Sequence, residues 1–476
     1  MINATLKPLT VALLIGLTGC SQIPTYEKPL VDLPTTLGST GVSAGLQMPT
    51  TEQQWWAQFN DPALTQWLDA ALQNNADFAI ADQRLRQAQA ALTQGRADQR
   101  PRLDGQADAG RQQTSDVAVP IGQRQTYNQF NLGALLSYEI DLWGRVSANV
   151  QSLEAQQQAQ RLNRENLRLS LMTNVAQSYF NLRTLDQMVD LAQQTVVSRQ
   201  ETLNLRQRQY ELGSITQLTV QQAQVELSRV EIQHLRLLQQ RDLQRTALSL
   251  LAGQTPAQIL AYSQAQAAEV QAYPMPVLPP AIDSSLLMRR PDIQAAEQQL
   301  IAANANIGVA RAALFPRLSL NGFIGLGSEA LNDLFSQDAV KWQAQAGLTA
   351  PIFNRGSLQA QVDISEAEQQ IKLQEYQQTL RQAFGEALDA LTQQHRAQQQ
   401  LDAQQRQVDA LRETLRLAQT RFDSGYSSYL EVLDAQRSLF DAELALVETE
   451  LSHLSAGIKL YKAIGGHWQA PNEQGS

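Results

Sequence analysis

A single cysteine, Cys20, stands in 476 residues, so no disulfide can form within the chain and a cysteine-rich zinc site has no ligands to draw on. Histidine is scarce as well, with four in the chain. His234 and His453 fall on helix seams, His395 on an exposed helix position and His467 in the tail, which is no metal-ligand spacing. Charged residues make up only 17%, and the 46 acidic side chains outnumber the 37 basic ones. The resulting net charge of −9 lacks the basic footprint that nucleic-acid binding needs. After residue 19 no stretch approaches the roughly 18 apolar residues of a spanning helix, which excludes a polytopic helical membrane protein. Catalytic signatures are missing: there is no nucleophile elbow, Walker motif or HExxH. The glycine-rich run Gly322-Phe323-Ile324-Gly325-Leu326-Gly327 lies in a strand region rather than ahead of a helix, so it is no phosphate loop. The expectation is a protein that is not an enzyme and needs no cofactor beyond a covalent lipid.

That lipid is expected at the N-terminus. Lys7 supplies a positive region, and Leu9 to Leu17 form an apolar run too short to span a bilayer. Leu17-Thr18-Gly19-Cys20 then resembles the processing site of a bacterial lipoprotein, with residues 1–19 as signal and Cys20 acylated. An ordinary signal followed by an incidental cysteine is the blander reading. Ser21, where lipoproteins held at the inner membrane usually carry Asp, resembles outer-membrane sorting.

The remainder repeats itself. Asn75-Ala76-Asp77-Phe78 matches Arg290-Pro291-Asp292-Ile293 at an offset of 215, and the register continues to Pro101-Arg102-Leu103 and Pro316-Arg317-Leu318. Tyr210-Glu211-Leu212-Gly213 matches Phe422-Asp423-Ser424-Gly425 at 212, and Leu218, Val220 and Ala223 pair with Leu430, Val432 and Ala435. Two matches in one order at nearly one offset mean a duplicated unit. The expected division is a signal at 1–19, an extended segment at 20–60, a first repeat at 61–270, a second at 271–464 and a tail at 465–476.

Each repeat reads helix, two strands, long helix, turn, long helix. The spacing predicts one helix over 62–99, entered at Asp61-Pro62 and stopped before Pro101, with a counterpart from Pro291 to Leu314. Beyond Tyr127, the residues Phe130, Leu132, Ala134, Leu136, Tyr138 and Ile140 alternate with mostly polar ones, as do Val340 to Ala350 in the second copy. At ten to twelve residues these strands are long enough to cross a bilayer when tilted. Alternation alone, however, fits a soluble sandwich with one wet face better than a membrane strand. Between Ser147 and Leu212 there is no Pro or Gly, and apolar residues recur in steps of three, four or seven, including Leu171, Val175, Leu182, Ala192 and Leu203. Such seams belong to coiled coils. About 65 residues at 1.5 Å each give a rod of roughly 100 Å, which no single globular core buries. Gly213 and Gly425 mark the reversals. Four strands per chain close no barrel, so membrane strands here require several chains; three would supply twelve.

A set of motifs carries a resemblance over essentially the whole chain. In order they are Pro24-Thr25-Tyr26-Glu27-Lys28-Pro29, Trp55-Trp56-Ala57-Gln58-Phe59-Asn60-Asp61-Pro62, Tyr138-Glu139-Ile140-Asp141-Leu142-Trp143-Gly144-Arg145, Leu287-Met288-Arg289-Arg290-Pro291-Asp292-Ile293, Ala313-Leu314-Phe315-Pro316-Arg317-Leu318, Pro351-Ile352-Phe353-Asn354-Arg355-Gly356 and Tyr429-Leu430-Glu431-Val432-Leu433-Asp434-Ala435-Gln436-Arg437. Together they resemble an outer-membrane efflux lipoprotein of the TolC superfamily, in its OprM-like branch. The resemblance implies an α+β membrane protein: a homotrimer whose 12-stranded transmembrane β-barrel, four strands per chain, continues into a long periplasmic α-helical barrel. It implies the passive exit duct for small molecules such as drugs, working with a periplasmic adaptor (membrane fusion) protein and a proton-driven inner-membrane pump of the RND type. The duct of a type I protein exporter is one alternative, and a lipid-anchored periplasmic scaffold without a pore is another.

Leu430, Asp434 and Arg437 fall at i, i+4 and i+7 on one helix face. The family's periplasmic constriction matches these positions, where three copies would make rings. The blander reading pairs Asp434 with Arg437 in solvent and puts Leu430 in the seam. The first copy has Leu218, Gln222 and Val225 instead, so the charges belong to one copy only. The tips Gly213-Ser214-Ile215 and Gly425-Tyr426-Ser427 are where the resemblance places the adaptor, although both glycines also serve simply to end helices.

Overall fold

A computed structural model describes residues 21–29, 34, 36–38, 55–114, 126–263 and 281–466. The expected signal peptide, Cys20, His467 and most of the expected tail lie outside the described residues. The elements follow the expected order. Helices α1 (Pro62–Asn74) and α2 (Ala76–Ala97) lead into strands β2 (Arg102–Gln113) and β3 (Thr126–Ile140) and then helices α3 (Arg145–Glu211) and α4 (Gln217–Leu251). After the short α5 (Pro256–Ser263), the second copy gives α6 (Pro291–Ala312), β5 (Arg317–Ser328), β6 (Val340–Thr349), α7 (Arg355–Asp423) and α8 (Tyr429–Ala463). A small ladder pairs β1 (Thr36–Gly38) with β4 (Ala281–Asp283). No described helix is long and apolar enough to cross a membrane.

One expectation is corrected. The helix read as continuous over 62–99 is two helices, broken at Asn75, whose ψ of 126° leaves the helical region. Asn75 ends α1 and its Oδ1 accepts from the Phe78 amide at 3.1 Å, opening the next helix. Its Nδ2 donates to the Leu251 carbonyl at 3.0 Å, at the end of α4. Gly253 (φ +67°) packs so closely here that a Cβ would lie 2.3 Å from the Asn74 carbonyl oxygen. The entry to α1 is as expected: Asp61 accepts from the amides of Ala63 and Leu64 at 2.8 and 3.2 Å, ahead of Pro62.

The duplication is visible in side chains as well as in element order. Arg96 pairs with Glu154 at 2.6 Å, and their counterparts Arg311 and Glu366 pair at 2.8 Å. Compactness does not follow the duplication. One compact unit collects the described parts of Met1–Val31, Gln83–Arg161 and Ala295–Gln378, and with them the strands of both copies. The other collects Asp32–Asp82, Leu162–Gln294 and Thr379–Ser476, and with them both helical hairpins.

In the first unit β2, β3, β5 and β6 form one antiparallel sheet in that order. Its register brings the apolar positions of all four strands onto one face. One row is Leu103, Leu136, Gly322 and Ala344; the next are Gly105, Ala134, Ile324 and Trp342, then Ala107, Leu132, Leu326 and Val340. The opposite face carries rows such as Arg102, Ser137, Asn321 and Gln345, or Gln106, Gly133, Gly325 and Lys341. Leu103, Ile324, Trp342 and Leu348 on the apolar face are all exposed in the chain alone. Strands β2 and β6 each have one neighbour, so among the described residues both edges of the sheet are unpaired.

In the same unit the segment Ser21–Pro29 runs along α6. Ile23 packs on Gly308, where a Cβ would lie 2.6 Å from it, and Asn304 donates to the Pro24 carbonyl at 2.8 Å. Lys28 then pairs with Glu297 at 2.7 Å, and Tyr26 donates to Glu297 at 3.5 Å. Burial, with Glu297 alongside, pushes the Tyr26 phenol well up. Glu297 is the counterpart of Asp82, which Arg164 holds in the first copy. Tyr376 stands where that arginine would be, so the N-terminal segment supplies the missing cation.

Candidate functional site

Both hairpin tips lie in the second unit and are built the same way. At the end of α3, Gly213 (φ +74°) donates to Tyr210 at 2.9 Å and Ser214 donates to Gln209 at 2.9 Å. At the end of α7, Gly425 (φ +78°) donates to Phe422 at 2.9 Å and Tyr426 donates to Arg421 at 2.8 Å. These are paired 5→2 and 6→1 closures, which need a left-handed residue and so favour glycine. The polar N-caps Thr216 and Ser428 then start α4 and α8. Nothing lies within 4 Å of a Cβ built on either glycine, so both tips are open. Tyr426 is 80% exposed, Gly213 and Ser214 are exposed, and Ile215 and Ser427 are half-buried.

Above the tips the two hairpins share one core. Leu203, Ala223 and Leu227 from the first pack with Ala418, Tyr429, Val432, Leu433 and Ala435 from the second. The Arg206 guanidinium lies over the rings of Phe422 and Tyr429 at 4.8 and 4.7 Å. Leu430 is not in this seam; it is 57% exposed. Asp434, one turn on, is exposed and makes no ion pair among the described residues.

Arg437 departs from its two neighbours. Its Nε donates to Glu226 Oε2 on α4 at 2.5 Å rather than reaching Asp434. The Glu226 carboxylate is only 2% exposed and also lies 3.5 Å from Arg229. Arg229 in turn holds Asp441 on α8 at 2.8 Å. A four-residue run, Arg437–Glu226–Arg229–Asp441, therefore crosses between α4 and α8 twice. Arg199 on α3 is buried beside it; burial holds its guanidinium below its ordinary pKa, with the Glu226 charge opposing. A carboxylate this buried is tolerated only with such partners. Sequence patterning did not single out Glu226, Arg229, Asp441 or Arg199. Their one available signal is that Arg229 and Asp441 are repeat-equivalent, 212 residues apart.

His234 and His453 are partly buried, each with its Nδ1 buried and without a hydrogen-bond partner among the described residues. His395 is exposed, in contact with Gln399 at 3.2 Å. No described cluster of three His, Cys, Asp or Glu side chains could hold a metal ion.

The family model described as outer membrane efflux protein matches residues 67–254 and 283–466. The chain is similar to the solvent efflux pump outer membrane protein SrpC of Pseudomonas putida, with 35% identity over 470 residues covering 97% of this chain and 98% of the relative. It is 36% identical to the pyoverdine export outer membrane protein OpmQ of Pseudomonas putida over 472 residues, covering 98% and 97%. Among solved structures, the Campylobacter jejuni CmeC outer membrane channel superposes with a TM-score of 0.86 at 27% identity, covering 95% of this chain and 96% of that one. The open state of the Neisseria gonorrhoeae MtrE outer membrane channel gives 0.81 at 30%, covering 94% and 98%.

Proposed function

The chain belongs to the outer membrane efflux protein family, and on that premise we propose that it is the outer-membrane channel subunit of a tripartite efflux pump. The observation that carries this reading is the four-stranded sheet with one apolar face, one polar face and two unpaired edges. In hydrocarbon each unpaired backbone group costs several kcal/mol, so such a sheet is stable in a bilayer only when its edges meet other copies. Three copies close a barrel of twelve strands, with Leu103, Ile324, Trp342 and Leu348 towards lipid and Arg102, Gln106, Asn321 and Gln345 towards an aqueous lumen. The helical hairpins of the three copies form the periplasmic part of the duct.

The duct does no chemistry on its cargo. SrpC is named for solvents and OpmQ for pyoverdine, a spread that suits a passive conduit whose selectivity rests with the pump. Rings of Leu430 and Asp434 close the periplasmic end, the first by dewetting and the second by charge. Arg437, bound to Glu226, holds α8 against α4 and so keeps both rings in place. The tips at Gly213, Ser214 and Ile215 and at Gly425, Tyr426 and Ser427 receive the periplasmic adaptor. A lipid on Cys20 adds a second membrane attachment to the barrel.

Conductance of the purified protein in planar bilayers tests the reading. A cation-preferring channel that widens in Leu430→Ala and Asp434→Ser variants is expected. A non-conducting monomeric rod would overturn the channel, and unchanged conductance in both variants would overturn the gate. Cys20→Ser should abolish fatty-acid labelling; persistent labelling would refute the anchor.

A further inference from the structure

The two strand hairpins of the sheet are copies of each other, and both flanks fix the correspondence. On the entering side Arg96 corresponds to Arg311 and Arg102 to Arg317, an offset of 215. On the leaving side Ser137 corresponds to Thr349 and Glu154 to Glu366, an offset of 212. The ion pairs Arg96–Glu154 and Arg311–Glu366 tie the flanking helices at matching places. The ladders agree, since Arg102 lies opposite Ser137 in β2–β3 and Arg317 lies opposite Thr349 in β5–β6. All these residues belong to the unit that holds the sheet.

The copies differ in what lies beside them. Strand β3, leaving copy one, pairs with β5, entering copy two, with Ser137 opposite Asn321 and Leu135 opposite Phe323. The equivalent partners, β6 leaving copy two and β2 entering copy one, are the two free edges among the described residues. A ring of identical chains supplies the missing ladder. The step that carries copy one onto copy two also carries copy two onto copy one of the next chain. Applied to the β3–β5 ladder, it takes Ser137 to Thr349 and Asn321 to Gln106 of the next chain.

We infer that β6 pairs antiparallel with β2 of a second copy of this chain in one fixed register, with Thr349 opposite Gln106, Leu348 opposite Ala107 and Gly347 opposite Asp108. The inference rests on the trimeric reading above and adds to it the alignment at which neighbouring chains meet. The pleat gives an independent check. A slip of one residue would turn the face of Trp342 and Leu348 onto the polar face of β2. At the inferred register Leu348 and Ala346 meet Ala107 and Ala109 on the lipid side, while Thr349 and Gln343 meet Gln106 and Gln112 on the lumen side. Parity alone also admits slips of two residues; the repeat excludes them, and one of them would set Gly347 against Gly110. The register fixes the closed shape as well. From Arg102 the ladder passes through Ser137, Asn321 and Gln345, and re-enters the next β2 at Gly110, eight residues further on. A slip of two at each of three junctions would change the stagger of the ring by about six residues, and with it the strand tilt and the diameter.

Disulfide trapping in intact outer membranes tests this on the full chain. Facing pairs alternate between the two ladder types, and side chains are closer in one of them, so two successive pairs are needed. Gly347→Cys with Asp108→Cys, or Leu348→Cys with Ala107→Cys, should give covalent dimers and closed trimers that survive boiling and collapse to monomers on reduction. Each single cysteine variant should give none. Gly347→Cys combined with Gln106→Cys or with Gly110→Cys should stay at the level of those controls. Trimers that cross-link best at a shifted pair, or at none of these pairs, would overturn the register and leave the channel reading standing. If no pair cross-links and lysine-reactive reagents trap only monomers, both fall.

Discussion

Arg229 and Asp441 occupy the same place in the two copies, 212 residues apart, and they bind each other, Nη2 to Oδ2 at 2.8 Å. Duplication alone would have put like residues at both positions. Divergence to opposite charges joined α4 to α8 where the copies meet face to face. Both side chains are about half exposed, so this bond by itself is weak, under about 1 kcal/mol. Arg229 also faces the buried Glu226, which Asp441 does not. Arg229→Ala should therefore destabilise the hairpin core by about 1–2 kcal/mol and Asp441→Ala by less than about 1 kcal/mol. Hydrogen exchange of the α4 and α8 amides in the two variants and their double mutant measures both; equal losses would contradict the ranking.

Arg437 is the stronger tie. Removing it leaves a carboxylate that is 2% exposed with its nearest remaining cation 3.5 Å away. Breaking a fully buried pair costs about 3–5 kcal/mol; Arg437 itself is 37% exposed, so about 1–3 kcal/mol is expected here. Arg437→Ala should loosen α8 and make cells permeable to large antibiotics, whereas Glu226→Gln combined with Arg437→Ala should recover much of the loss because no unpaired charge remains. A double variant as leaky as the single one would exclude the buried charge as the cause.

Those two residues also mark how far the sequence could be read. The strands were legible because alternation with period two is clear on β3 and β6 and weaker on their partners β2 and β5, and the long helices because seams such as Leu171–Val175–Leu182 run unbroken by Pro or Gly. The break at Asn75 was not, because the helical pattern of α1 passes into that of α2 and the deciding contacts come from Leu251 and Gly253, about 176 residues away. For the same reason Arg437 could be placed on a face but not given its partner. Local spacing offered Asp434 at i−3 and Asp441 at i+4, while the partner it takes, Glu226, lies 211 positions away. Local spacing fixes which face a residue occupies; it does not say what another helix brings to that face.

Stability near the upper part of α8 should depend on pH through His453. Burial pushes its imidazole below the ordinary value of 6.5, with Asp402 pulling the other way. Above 6.5 the group is neutral in both folded and unfolded chains and contributes no pH dependence. Below 6.5 the unfolded chain takes up a proton that the folded one resists, so stability falls as the pH drops. Glu450, one turn away, runs the opposite way: burial raises its carboxyl above 4.5, so its cost grows as the pH rises past that value. Thermal unfolding of His453→Gln should lose the acid-side decline expected of the wild type between pH 7.5 and 5.5, and Glu450→Gln should steepen it. Parallel curves for wild type and His453→Gln would remove His453 as the source.

The tip glycines separate a backbone requirement from a docking requirement. Gly213 and Gly425 sit at φ +74° and +78° with open space where a Cβ would go, so substitution there is a matter of conformation alone. Alanine should cost about 1 kcal/mol at each, and asparagine, which tolerates the left-handed region, about half as much. If the tips only end helices, efflux should follow stability, with Gly425→Asn nearly as active as wild type. If the adaptor approaches these backbones closely, Gly425→Asn should fold and conduct normally in bilayers yet fail to support efflux in cells, because its side chain occupies the space that the partner needs. Drug susceptibility measured alongside single-channel conductance distinguishes the two. The docking role predicts their separation at both tips, and a variant that loses or keeps both activities together argues for a helix terminus and nothing more.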